Sequence, residues 1–146
     1  MGYKITVEKT KASLIGDIDF TNLPFGKHFS DHMFVADYYE GDWHDCQILP
    51  FSDFTIHPAL SSLHYGQAIF EGMKAEKDVD GNPIIFRPLK NLNRFNISAD
   101  RMAMPEVPEE LFMSAIDRLI SIDKNWIPTT PHSSLYIRPY MFATEK

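Results

Sequence analysis

The sequence predicts an α+β domain: a mainly antiparallel sheet with two helices packed on it. Three observations carry this. Short alternating or apolar runs, separated by turn residues, fill the chain up to about Phe86. Two segments with helical spacing follow. One more apolar and aromatic run then comes near the end, so strands and helices are segregated rather than alternating. A length of 146 residues suits one domain or part of a larger protein.

The elements follow in order. Tyr3, Ile5 and Val7 alternate with Lys4 and Thr6, as in a short strand. Residues 11–30 read as irregular, with Asn22, Pro24 and Gly26 as breakers. Met33 to Tyr39 and Gln47 to Leu49 flank Glu40-Gly41-Asp42, a hairpin pattern. Ala59 to Tyr65 reads as a further strand. Met73 to Glu76 and Pro83 to Phe86 flank Asp78-Val79-Asp80-Gly81-Asn82, whose Asp-Gly is a strong hairpin-turn signal. Pro88 suits a first helical turn, and Leu89, Leu92, Asn96 and Ala99 carry helical spacing to about Met102. After Pro105 and Pro108, a second helix is predicted from the stripe Leu111, Phe112, Ala115, Ile116, Leu119, Ile120 and Ile122. Pro128 and Pro131 mark a loop, and Ser134 to Phe142 reads as one strand.

Composition narrows the function classes. Hydrophobic residues are 44% and charged residues 23%, which argues against disorder. The net charge of −6, without clustered Lys and Arg, points away from nucleic acid. The longest uncharged run, Phe54 to Phe70, contains Pro58 and polar residues. It falls short of the roughly 20 apolar residues of a membrane span. The single cysteine, Cys46, forms no internal disulfide, and a reducing compartment fits it. Charges at Lys4, Glu8, Lys9, Lys11 and Asp17 exclude a signal-peptide core. The expectation is a soluble, cytoplasmic protein.

Few positions suggest chemistry. Tyr136 and Arg138 share one strand face with Ser134 and Tyr140, while Leu135 and Ile137 point the other way. An Arg beside a Tyr can hold a carboxylate through a planar fork plus a hydroxyl. From spacing alone, an exposed sheet face with an ordinary arginine is the commoner case. Lys90, Arg94 and Arg101 fall on one side of the first helix. Such a side can bind phosphate, and is more often a solvated basic face. The histidines are scattered without ligand-like spacing, so no metal is expected. There is no phosphate-loop, dinucleotide or nucleophile-elbow pattern. Unaided, the residues describe an acidic α+β domain with a candidate anion site and no more.

A family resemblance adds to this. The segment from Leu63 to Ala75, including Tyr65-Gly66-Gln67 and Phe70-Glu71-Gly72-Met73-Lys74, strongly resembles a signature of branched-chain amino acid aminotransferases, the fold-type IV enzymes that use pyridoxal 5'-phosphate (PLP). Further segments agree in the family's order. They are Phe25-Gly26-Lys27, Ser30-Asp31-His32-Met33, His57-Pro58-Ala59-Leu60 and Phe86-Arg87-Pro88 with Asn91 and Arg94. Ser98-Ala99-Asp100-Arg101-Met102, Asp123-Lys124-Asn125-Trp126 and Leu135-Tyr136-Ile137-Arg138-Pro139 complete the set. The likeness runs from about residue 20 to the end, so residues 1–19 read as an N-terminal extension with a short strand and residues 20–146 as the family's N-terminal small domain.

The resemblance implies roles. Arg94 matches the arginine that binds the PLP phosphate, which reverses the solvated-face reading. Tyr136 and Arg138 match the pair on the substrate-carboxylate side, where Arg also helps accept the second carboxylate of glutamate or 2-oxoglutarate. Phe25, Tyr65 and Phe70 match aromatics lining the pocket for a Leu, Ile or Val side chain. Tyr65 in the family reaches the neighbouring subunit's site, which implies a homodimer. Lys74 falls where relatives carry Lys or Arg near the pocket.

One departure matters. The family's Schiff-base lysine lies in a C-terminal domain, beyond the Tyr-Ile-Arg-Pro strand, and none of the nine lysines here stands in its context. The chain alone is therefore expected to lack activity. Two alternatives stay open. One is a free-standing, non-catalytic domain binding a partner or an anion. The other is a fold-type IV relative such as a D-amino acid aminotransferase or aminodeoxychorismate lyase.

Overall fold

The computed structural model describes residues 2–146. The first hairpin pairs β2 (His32–Tyr39) with β3 (Asp42–Pro50), and β1 (Thr6–Val7) adds in parallel to β3. Its two-residue turn has positive φ at both Glu40 (52°) and Gly41 (85°), the geometry that matches the twist of the flanking strands. Two more strand groups follow. β4 (Ala68–Phe70) pairs with β8 (Tyr140–Phe142), and β5 (Met73–Lys77) lies between β6 (Pro83–Ile85) and β7 (Leu135–Ile137). All the pairings except that of β1 are antiparallel. The helices are α1 (Ser61–Tyr65), α2 (Pro88–Arg101) and α3 (Glu109–Ile122), with a 3-10 turn at Lys124–Trp126. The α+β architecture and both long helices stand as the sequence predicts.

Four details differ from the sequence reading. Residues 59–65 do not form a strand; they hold α1, one turn closed by left-handed Gly66, whose N–H returns to the Ser62 carbonyl at 3.1 Å. The start of α1 is tied to the chain's end instead, because the Ser61 N–H donates to the Glu145 carbonyl at 2.8 Å. The strand predicted over 134–142 is split at Arg138-Pro139 into β7 and β8. Leu89 is exposed, and the buried stripe of α2 is Leu92, Phe95 and Ala99. Of residues 3–7, only Thr6 and Val7 pair with another strand.

Three small apolar clusters form the core. Met73, Ala75 and Leu92 meet Phe112, Ile116 and Ile120 in the first. Ile5, Cys46 and Ile48 meet Leu111 and Ala115 in the second, so α3 serves two clusters with two stripes. Ile69, Phe95, Ala99 and Met104 form the third. Val107, in the link between α2 and α3, packs against all three. Asn96 fixes it there: its side-chain amide donates to the Val107 carbonyl at 3.0 Å, and its side-chain oxygen accepts the Val107 N–H at 2.9 Å.

Two of the family-like segments lock onto each other. The His32 N–H donates to one Asp123 carboxylate oxygen at 3.0 Å, and His32 Nδ1 lies 2.6 Å from the other. His32 Nε2 accepts the Thr10 N–H at 2.9 Å, which assigns the ring proton to Nδ1. Both residues are buried. Next door, Asp31 accepts from Ser13 Oγ, the Leu14 N–H and Trp126 Nε1. Burial raises the Asp31 pKa, but these three donors outweigh it and leave the carboxyl below its usual range. The pair Asp31-His32 thus joins the N-terminal segment to the end of α3.

Asn96→Ala should lower stability by about 2 kcal/mol, since it strands two partly buried backbone groups and frees the link that the three clusters share. A urea midpoint unchanged from the unaltered chain would refute that role.

Candidate functional site

The site grows from one strand pair. Phe70 faces Tyr140 and Met73 faces Ile137 in the same register. Glu71-Gly72 therefore lies opposite Arg138-Pro139, in the gap between β4/β8 and β5/β7. The Glu71 N–H donates to the Pro139 carbonyl at 2.8 Å. Pro139 has no N–H to return the bond, so the ladder lapses there. Exposure alternates through the gap. Ile69, Glu71, Met73 and Ala75 are buried, whereas Phe70 and Lys74 are exposed.

The open face gathers four of the expected substrate-side residues. Arg138 Nε donates to Tyr136 Oη at 3.1 Å. The Arg138 guanidinium lies 4.5 Å from the Phe70 ring centre and 5.1 Å from that of Tyr136, close enough for cation–π attraction. Phe25 meets Tyr136 edge to face at 5.2 Å. A turn presents it: the Lys27 N–H closes onto the Pro24 carbonyl at 3.3 Å, with Gly26 at φ 74°. Leu135 and Ile137 pack on the core from the other side. Gly72 leaves room for the Tyr136 ring in this position, because an added Cβ would lie 2.2 Å from the Tyr136 hydroxyl oxygen and would push the ring aside.

Tyr65 is not part of this group. It stands at the end of α1, 85% exposed, with His64 at 6.3 Å as its ring neighbour. Phe25 and Phe70 are also largely exposed, at 75% and 63%. Lys74 pairs with Tyr136 across the ladder and so shares its face. A separate hollow of about 310 Å³, lined in part by Leu14, Phe29, Phe51 and Trp126, touches none of these residues.

Arg94 sits on the other side of the strand, on α2. Its Nε and Nη2 both donate to the Glu71 carboxylate, Nη2 at 2.9 Å. Asn91, one turn earlier, donates to Glu71 at 2.9 Å and to the Gly72 carbonyl at 3.1 Å. Glu71 is buried while the Arg94 side chain is 69% exposed. The Arg94 hydrogen bonds, with Asn91 and the Gly72 N–H, hold the Glu71 carboxyl below its ordinary value of 4.5 and outweigh burial, which raises it. Arg94 shifts the opposite way, its pKa raised by Glu71. Among the described residues Arg94 makes no direct hydrogen bond to Tyr136 or Arg138; Glu71-Gly72 is the link between them.

The sequence reading missed Glu71, Asn91 and Gly72 as site-builders. A signal was available. Period two over Ile69, Glu71, Met73 and Ala75 puts Glu71 on the buried face, and a buried carboxylate needs a cation.

The α+β domain thus carries an aromatic–arginine rim on one side of a strand and an arginine anchored by a buried carboxylate on the other. The comparisons make this particular. The chain is 47% identical over 128 residues to branched-chain-amino-acid transaminase 1 of Bacillus subtilis, covering 87% of this chain and 36% of that protein. It is 45% identical over 146 residues to a probable branched-chain-amino-acid aminotransferase of Staphylococcus epidermidis, covering 99% of this chain and 40% of the relative. In structure it matches the crystal structure of the Escherichia coli branched-chain amino acid aminotransferase, with TM-score 0.51 and 26% identity, over 66% of this chain and 30% of that one. No protein-family model matches. The chain belongs to the branched-chain-amino-acid aminotransferase family, and it spans 36–40% of the length of these two curated relatives.

Because the Glu71 pKa is lowered on folding, its ion pair adds stability above the ordinary carboxylate pKa and loses it as pH falls through the folded value. The stability gap between the unaltered chain and Glu71→Gln, read from urea midpoints, should therefore be full at neutral pH and close progressively below about pH 4.5. A gap independent of pH would show that Glu71 is not held ionised by Arg94.

Proposed function

We propose that this sequence is the N-terminal part of a PLP-dependent branched-chain aminotransferase. Residues 20–146 would form its small domain and residues 1–19 an extension. The full protein would convert Leu, Ile or Val and 2-oxoglutarate into the branched 2-oxo acid and glutamate, as a cytoplasmic homodimer. No described helix is long and apolar enough to cross a membrane.

The observation that carries this is the rim of Phe25, Phe70, Tyr136 and Arg138. A transaminase of this kind must accept an apolar side chain and a second carboxylate in turn at one site. Phe25 and Phe70 offer apolar walls. Arg138 and Tyr136 offer a charge-assisted fork and a hydroxyl for the carboxylate. Because Arg138 stacks on Phe70, it can turn toward a carboxylate or stay against the ring. One methylene in such a pocket is worth only about 1–3 kcal/mol, so discrimination among the three amino acids should be modest.

PLP, when bound, supplies the electron sink for the reaction. The donor set suits its phosphate: Arg94 is a fixed cation with three N–H donors left over after Glu71 takes two. Arg94 would hold that phosphate, and the lysine that bonds to PLP would lie in the C-terminal domain of the full protein. This chain alone would then be inactive, and its exposed Phe25, Tyr65 and Phe70 would drive self-association.

Two measurements test the reading. After incubation with PLP and borohydride reduction, the intact mass of the chain should show no single stoichiometric lysine adduct, and leucine with 2-oxoglutarate should give no glutamate. Turnover by the chain, or one defined adduct, would overturn it. In the full-length protein, Arg138→Gln should raise KM for 2-oxoglutarate about tenfold or more and affect leucine less. Equal effects on both substrates would remove Arg138 from the carboxylate role.

A further inference from the structure

Glu71 is a buried acid next to the arginine expected to take a phosphate, an arrangement that calls for an explanation. A carboxylate competes with a phosphate for the same cation, so two opposite roles are conceivable. The contacts separate them.

Glu71 is anchored independently of Arg94. Asn91 donates to it at 2.9 Å and its neighbour's Gly72 N–H at 3.3 Å, and only 4% of the side chain is exposed. The acid is therefore the fixed member and Arg94 the one placed. The bonds also choose an edge of the guanidinium. Glu71 takes Nε and one Nη2 hydrogen, which is the side-on edge. The end-on edge keeps one Nη1 and one Nη2 hydrogen, and the other Nη1 hydrogen is left over on the Cδ side. Among the described residues no group accepts from that edge, and the side chain is 69% exposed. Two parallel donors remain, which suits a phosphate. An arginine on a solvated helix would otherwise sample many rotamers, and immobilising such a chain opposes binding.

We propose that Glu71 is a positioning residue: it grips the side-on edge of Arg94 so that the end-on edge meets the phosphate of the ligand, and Asn91 holds Glu71 in place for that task. This rests on the reading of Arg94 as the phosphate-binding residue.

The test is a titration of the 146-residue chain with pyridoxine 5'-phosphate, which carries the phosphate but no aldehyde. It is followed by NMR of the arginine side chains, with pyridoxine as the control. The unaltered chain should bind the phosphate ester saturably, with the Arg94 Nη signals shifting and its Nε–H signal still protected. Glu71→Gln should bind about tenfold more weakly, and Asn91→Ala about threefold, if one to two charge-assisted bonds are loosened. Pyridoxine should not distinguish the three proteins; a merely structural role for Glu71 would affect both ligands alike or neither. Should Glu71→Gln fail to fold, Asn91→Ala carries the same comparison. Arg94→Gln separates the two ideas. If it abolishes binding while Glu71→Gln and Asn91→Ala bind as well as the unaltered chain, or better, Arg94 keeps its role and Glu71 is a competitor, which overturns the proposal. If Arg94→Gln changes nothing, or the unaltered chain does not bind, the Arg94 reading itself falls and this inference with it.

Discussion

Pro139 cannot donate a backbone hydrogen bond, and the site is arranged around that fact. Residues 68–77 and 135–142 run antiparallel in one register, yet the ladder lapses where Glu71-Gly72 meets Arg138-Pro139. Above the gap, on the open face, Tyr136 lies across a residue with no side chain, and Arg138 turns between two rings. Below it, a carboxylate replaces an apolar core residue and draws Arg94 and Asn91 from α2. An apolar residue in place of Glu71 would leave Arg94 without its anchor. The gap is a local departure from sheet geometry, of the kind expected at functional positions.

The rest of the fold holds this strand pair in position. Met73 and Ala75 sink into one cluster with α2 and α3, and Ile69 into another with Phe95 and Ala99. Both depend on Val107, which Asn96 grips through its backbone. The Asp31-His32 segment closes the far side against Asp123 and Trp126. Several of the segments that resemble the family are thus packing devices and not chemistry. Glycine, asparagine and buried charge at these positions follow from backbone approach and hydrogen-bond completion.

Much of this was legible in the sequence. Periodicity found both long helices and the first hairpin, because amphipathic stripes and an Asp-Gly or Glu-Gly turn act locally. The face shared by Tyr136 and Arg138 followed from period two, and their contact confirms it. What was not legible depended on partners far along the chain. Residues 59–65 carry apolar and aromatic residues suited to a strand, but Gly66 closes a helical turn and no strand pairs with them. Leu89 fits the helical spacing, yet nothing covers the start of α2, and Phe95 is buried instead. The roles assigned to Arg94 and Tyr65 came from resemblance; spacing alone favoured a solvated face, and Tyr65 stands apart from the rim.

The most direct test of the account is Pro139→Ala followed by amide hydrogen exchange and side-chain NMR. If the missing N–H causes the gap, residue 139 gains a protected amide bonded to Glu71, and the Tyr136–Arg138–Phe70 contacts rearrange as the ladder closes. An unprotected amide at 139 with those contacts intact would show that the gap is imposed from elsewhere, and would contradict the account.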